Sequence, residues 1–130
     1  MKITDGAKIC IGDKTTMGGV SIICGEGRKV SVGDDCMFSV GINLRTTDSH
    51  GIYDQKTKNR INPAKDIVVG DKVWVGMNCM IMKGSAISNG SVVGAGAFVS
   101  KPIETPNVLI AGNPAIILKE GVVWERELLG

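Results

Sequence analysis

Every sixth residue from Val69 is aliphatic: Val69, Val75, Ile81, Ile87, Val93 and Val99. The same step runs earlier through Ile11, Met17 and Ile23 and then, after a three-residue slip at 25–28, through Val32, Phe38 and Leu44. The residue after each of these twelve is glycine six times and serine three times. A period of six fits neither the 3.6-residue turn of an α-helix nor the plain alternation of a hairpin strand. It fits a coil of three short sides, each with an apolar residue pointing inward and a small residue that lets the backbone turn the corner. Such coils take about eighteen residues per turn and stack at the ~4.8 Å spacing of paired strands.

Residues two apart on a strand share a face, so the positions two before each marker should also point inward. They are Ile9, Thr15, Ser21, Val30, Cys36, Ile42, Ile67, Val73, Cys79, Ser85, Ser91 and Ala97, all small or slender. Hydrophobic residues make up 43% of the chain but aromatics only 4%, which suits a narrow aliphatic prism. A β-sandwich of glycine-punctuated strands is the alternative, but its strands vary in length and would break the step. At 130 residues the chain is expected to be a single all-β domain, with coils at 9–44 and 67–112, a loop at 45–66 and a C-terminal cap at 113–130.

A net charge of +2 gives no electrostatic case for nucleic acid. No apolar run approaches the ~20 residues of a membrane span, and the first five residues do not resemble a signal peptide, so a cytoplasmic location is expected. Cys10, Cys24, Cys36 and Cys79 form no Cys-x-x-Cys pair, and His50 is the sole histidine. No metal site is expected, and the cysteines are read as reduced, structural thiols.

From Leu44 to Val69 the spacing is 25 residues, so about nineteen residues are extruded from the repeat. This segment holds His50 with Asp48, Tyr53, Asp54, Arg60, Asn62 and Pro63. A long loop on a regular scaffold is where chemistry is sought. Trp74 lies between inward Val73 and Val75, so it should point out of the coil, as a subunit contact or a ligand platform. At the other end, Trp124 and Leu128 are four apart, which predicts a short amphipathic helix over 122–129 that covers the open strand edges.

Taken together, the coils, the loop Asp48-Ser49-His50-Gly51-Ile52-Tyr53-Asp54, the stretch Val73-Trp74-Val75-Gly76 and the motif Ala111-Gly112-Asn113-Pro114-Ala115 resemble the hexapeptide-repeat O-acetyltransferases. The run Arg60-Ile61-Asn62-Pro63-Ala64-Lys65-Asp66-Ile67 is most similar to the branch that acetylates bacterial capsular polysaccharides and lipopolysaccharides, including polysialic acid. The resemblance implies a left-handed parallel β-helix, although parallel crossovers are normally right-handed. It implies acetyl-coenzyme A as donor, a sugar or glycan as acceptor, and a homotrimer with active sites between neighbouring β-helices. His50 would be the general base and Trp74 would stand beside it in the acceptor site. Asp48, Asp54 or a backbone carbonyl would orient the imidazole. The pantetheine arm would run along Gly76 and Gly94, with Ser100 and Lys101 nearer the nucleotide. One departure stands out: relatives commonly place a basic residue where this chain has Ile116, which leaves Lys119 or Lys101 to meet a phosphate. The N-terminal extension of many relatives would also be missing.

Histidine is suited to accepting a hydroxyl proton near neutral pH, and a backbone N–H, expected at Gly76, would hold the oxyanion. An amino sugar, a nucleotide sugar or another small acceptor would use the same machinery. A γ-type carbonic anhydrase needs three histidines and is excluded by count. A non-enzymatic scaffold or ice-binding solenoid has no use for an extruded loop bearing the only histidine.

Overall fold

The structure, a computed structural model, describes residues 1–4 and 6–130. Among the described residues the chain forms sixteen short strands. The first turn comprises β1 (Lys2–Ile3), β2 (Lys8–Ile11) and β3 (Thr16–Met17). The second comprises β4 (Val20–Cys24), β5 (Lys29–Val32) and β6 (Met37–Phe38). The third runs through β7 (Ile42–Arg45), β8 (Ile67–Val69) and β9 (Trp74–Val75), and the fourth through β10 (Met80–Met82), β11 (Ala86–Ile87) and β12 (Val92–Val93). The fifth holds β13 (Phe98–Val99), β14 (Pro102–Ile103) and β15 (Val108–Gly112), after which β16 (Ala115–Glu120) folds back antiparallel on β15.

Each turn visits three sheets in the same order. The first is β1-β4-β7-β10-β13, the second is β2-β5-β8-β11-β14, and the third is β3-β6-β9-β12-β15-β16. Apart from β15 with β16, the paired strands are parallel. The result is a left-handed parallel β-helix, a triangular prism with the six markers from Val69 to Val99 buried along its axis. Fully burying such side chains contributes about 1.5–3 kcal/mol each. Cys36 and Cys79 fill inward positions, and their thiols donate to the carbonyls of Gly70 and Gly94 at 3.1 Å. Burial pushes both thiols up, so they remain protonated space-fillers.

The corners are secured by polar side chains. At the corner between the second and third sheets, Asp13 N–H donates to Asp34 Oδ1 at 2.7 Å, Asp34 N–H to Asp71 Oδ1 at 2.8 Å, and Asp71 N–H to Asn89 Oδ1 at 2.7 Å. Each turn thereby caps a backbone donor of the one before it.

Three expectations need correction. Ile23 is not an inward marker: β4 pairs with β7 so that Ile22 lies opposite Leu44, and Ile22 is buried while Ser21 is exposed. The step is therefore five residues into this strand, and the difference is taken up at the 25–28 corner, where Arg28 N–H closes a turn onto Gly25 O. The coils also begin before residue 9, since β1 pairs with β4.

The third correction concerns the C-terminal helix, which does not form: no helix occurs among the described residues. Residues 115–120 continue the third sheet instead, and Gly121 turns the chain at a φ of 71°. The tail then runs down the prism as a strap. Val122 N–H donates to Asn107 O, the Trp124 indole to Lys72 O at 2.7 Å, and Arg126 to Asp35, Thr16, Lys14 O and Cys36 O. These contacts to four of the five turns compete with a helix of eight residues, which is marginal by itself. Trp124 ends 6% exposed and Leu128 98% exposed, so the two share no face. No described helix is long and apolar enough to cross a membrane.

Candidate active site

The extruded segment leaves at the end of β7 and returns into β8, so it projects from the corner between the first and second sheets. Its root is tied to the turn beneath. Buried Thr46 accepts from Gly25 N–H at 2.9 Å, Thr46 N–H donates to Ile23 O, and Lys65 N–H donates to Thr46 O. Beyond the root the segment is a small hairpin. Ile61 N–H donates to Ile52 O and Asp54 N–H to Asn59 O, each at 2.8 Å, while Tyr53 bridges Arg60.

Two ion pairs pin this hairpin to the coils on either side. Arg60 grips Glu26 of the turn below, and Thr47 donates to the same carboxylate. The Arg60 guanidinium, with help from Thr47, holds the Glu26 carboxyl down to about 2. On the other side Lys83, from the turn above, donates to Asp48 Oδ2 at 2.6 Å. That ammonium, followed by Asn62, holds the Asp48 carboxyl below the usual aspartate range. Asn62 sits between the two pairs, 7% exposed. Its Nδ2 donates to His50 O at 2.9 Å and to Asp48 Oδ2 at 3.0 Å, and its Oδ1 accepts from Ile52 N–H at 2.7 Å and Arg60 Nε at 3.1 Å.

His50 stands exposed at the edge of this network. The two carboxylates expected to orient it are engaged elsewhere: Asp48 by Lys83 and Asn62, and Asp54 by the N–H groups of Lys56 and Thr57 in its own turn. Those turn amides hold the Asp54 carboxyl below its ordinary value. Ser100 and Lys101 lie between β13 and β14, on the same corner of the prism two turns above the loop.

The remaining candidates lie on another flank. Along the outer face of the third sheet, Met37, Trp74, Val92, Leu109 and Lys119 pair in succession across β6, β9, β12, β15 and β16. Residues paired this way share a face. Beside this row, Gly76 and Gly94 stack at the corner between the third and first sheets. Trp74, Gly76, Val92, Gly94 and Leu109 line an apolar groove of about 430 Å³. Trp74 is 37% exposed and rests against Trp124, with ring centroids 6.1 Å apart and planes tilted by 48°. Lys72 holds its ammonium 4.4 Å from the Trp124 ring.

At Gly76 the structure corrects the expected oxyanion donor. Its N–H donates to Val93 O at 2.8 Å as part of the ladder between turns. A Cβ at Gly76 would lie 2.8 Å from the Ala95 nitrogen, so glycine is required there for the turns to stack.

The sequence candidates therefore fall into two groups. His50, Asp48, Ser100 and Lys101 occupy the corner between the first and second sheets, whereas Trp74, Gly76, Gly94 and Lys119 occupy the third sheet and its far corner. In a triangular prism that first corner lies across the axis from the third side. One chain does not bring His50 and Trp74 together. Sequence reasoning missed the roles of Lys83 and Glu26, and it placed Trp124 on a covering helix without its bond to Lys72 O. A signal was present for Trp124, an indole that needs a buried acceptor, but not for the ion pairs, which depend on which coil corners flank the loop.

Residues 66–101 match the family described as bacterial transferase hexapeptide (six repeats). The chain is similar to a polysialic acid O-acetyltransferase of Escherichia coli O1:K1, with 42% identity over 123 residues that cover 95% of this chain and 40% of the relative. A polysialic acid O-acetyltransferase of Neisseria meningitidis is 45% identical over 115 residues, 88% of this chain and 54% of the relative. Among solved structures, that of the polysialic acid O-acetyltransferase OatWY superposes with a TM-score of 0.91 at 41% identity, covering 98% of this chain and 60% of that one. The chain thus spans about half the length of the relatives it matches. The resemblance to hexapeptide-repeat acetyltransferases of bacterial surface glycans holds, and so does the left-handed β-helix.

Proposed function

We propose that this hexapeptide-repeat chain is an acyltransferase unit that moves an acetyl group from acetyl-coenzyme A to a hydroxyl of a bacterial surface-glycan sugar, with His50 as general base. The observation that carries the reading is the division of the candidates between two flanks. His50 projects from one corner, and the apolar groove beside Trp74 lies on the opposite side. A ring of copies, with the loop corner of one against the third sheet of the next, unites them. Three copies close such a ring around a three-sided prism, which supports a homotrimer with three shared sites.

The groove suits a slender pantetheine arm: it is apolar, it runs along stacked glycines, and its outward row ends in a cation, Lys119. Ser100 and Lys101 of the adjoining copy would face the same cleft, so both lysines are available to the phosphates. At the reacting end, the neutral imidazole of His50 takes the proton as the acceptor oxygen attacks the thioester carbonyl. The C–O bond forms, the C–S bond breaks, and the proton passes to the departing thiolate. Trp74 of the neighbouring copy offers the sugar an apolar ring face. Asp48 and Asp54 support the base indirectly, by shaping its loop. Acetyl-coenzyme A is a cytosolic metabolite, which favours a cytoplasmic site of action.

Incubating the purified protein with acetyl-coenzyme A and a panel of acidic and neutral capsular glycans tests the reading through release of free thiol. Release that depends on one class of glycan is expected. Release no faster than donor hydrolysis with every glycan would overturn it.

A further inference from the structure

We propose that Asn62 is the positioning residue of His50. The inference rests on the reading of His50 as the base, and it concerns how an exposed side chain on a loop is offered as one defined imidazole to a neighbouring copy. An exposed side chain on a free loop samples many orientations, and reaction geometry tolerates little of that freedom. Here the backbone that follows His50 is held at two points by a single carboxamide. Asn62 Nδ2 donates to the carbonyl of His50 itself, and Oδ1 accepts the N–H of Ile52, two residues on. The peptide stretch 50–52 is thus clamped from one side by two atoms of one planar group that cannot move independently.

The carboxamide in turn has no freedom left. Both Nδ2 hydrogens are donated, to His50 O and Asp48 Oδ2, and Oδ1 accepts twice, from Ile52 N–H and Arg60 Nε. That exhausts the hydrogen-bonding capacity of an asparagine. Its two outer partners are themselves tied to the prism. Asp48 is joined to Lys83 on the turn above, and Arg60 to Glu26 on the turn below. The position of His50 is therefore referred, through Asn62, to two coil corners that flank the loop. Aspartate at this position would accept the Ile52 and Arg60 bonds, but it would have no donor for His50 O and would set a carboxylate against Asp48. A serine or alanine would reach neither group.

Two variants and one structural readout test the proposal. Amide exchange at Ile52 reports the clamp whatever the activity is, because that N–H is bonded to Asn62. In Asn62→Ala, Ile52 exchange should rise at least ~10-fold while amides of the prism strands keep their protection. Turnover should fall by about 10–100-fold, with the KM for acetyl-coenzyme A within about twofold of wild type, since the donor groove lies on the other flank. In Asn62→Asp, Ile52 should retain most of its protection while kcat still falls about 10-fold, because the hold on His50 O is gone. Unchanged Ile52 exchange in Asn62→Ala would overturn the clamp. So would turnover within twofold of wild type in both variants when His50→Ala is inactive. A His50→Ala protein as active as wild type, with Ile52 exchange raised in Asn62→Ala, would sink the base assignment and leave the clamp standing.

Discussion

Val75 and Asn62 are both hidden from water, at 0% and 7% exposure, yet they are held by opposite means. Val75 belongs to a stack of aliphatic side chains along the prism axis, where each contact is weak, undirected and indifferent to charge. Asn62 makes four directed hydrogen bonds inside a web of two ion pairs, and every one of them fixes a particular atom. The prism is redundant: a turn resembles the turn above it, and a slender aliphatic can be exchanged for another at modest cost. The loop has no duplicate. Stability resides in the part of the chain that repeats, and the proposed base in the part that does not.

The largest effects should separate these two parts cleanly. Ile81→Ala opens a cavity on the axis and should cost about 2–5 kcal/mol of stability, read as a shift in denaturant midpoint. Turnover of the molecules that remain folded should be unchanged. His50→Ala should do the reverse: kcat falls by ~10²–10⁴-fold while the midpoint stays within about 0.5 kcal/mol of wild type. A His50→Ala protein that unfolds early, or an Ile81→Ala protein that loses turnover while folded, would break the division.

Acid should sharpen it. The Glu26 carboxyl lies at about 2 in the folded chain against an ordinary 4.5. A depressed carboxyl contributes above its unfolded value and loses that contribution as pH falls through the folded one. The Arg60 anchor should therefore weaken between about pH 4.5 and 2, and the Asp48–Lys83 pair in the same direction. Exchange at Ile61, whose N–H donates to Ile52 O, should speed up over that range before the strands of the prism loosen. Simultaneous loss of both would mean that the loop has no separate hold.

A smaller effect belongs to the groove flank. Lys119→Ala removes an exposed cation at the end of the outward row, and such a contact is worth about 0.2–1 kcal/mol. The KM for acetyl-coenzyme A should rise by roughly 2–5-fold at unchanged kcat. A change in kcat instead would move Lys119 out of donor binding.

The same contrast explains what was legible in the sequence. The step of six from Val69 to Val99 gave turn length, inward faces and the place of the break, because each turn must present its apolar residues to the same axis. It failed at Ile23, where one residue was missing from a side and only pairing with β7 shows that Ile22 took the inward position. It failed again at 122–129, where a spacing of four suggested a helix and the bonds of Trp124 and Arg126 made a strap. Within the loop the histidine stood out as the only one of its kind. Its setting did not, because Lys83 and Glu26 reach it from turns far away in the chain. Nor could spacing reveal that Gly76 gives its N–H to Val93, a bond that belongs to the stacking of turns.

If a working site takes His50 from one copy and the Trp74 groove from another, co-expression of two defective chains should restore it. His50→Ala and Trp74→Ala are each expected to be impaired as pure assemblies, the second by about 10-fold or more through loss of the sugar platform. In randomly mixed rings, about one junction in four joins an intact His50 to an intact Trp74. Mixed assemblies should therefore recover close to a quarter of wild-type turnover, well above either parent. Turnover no higher than the average of the two parents would place His50 and Trp74 in the same chain's site and rule out a site shared between copies.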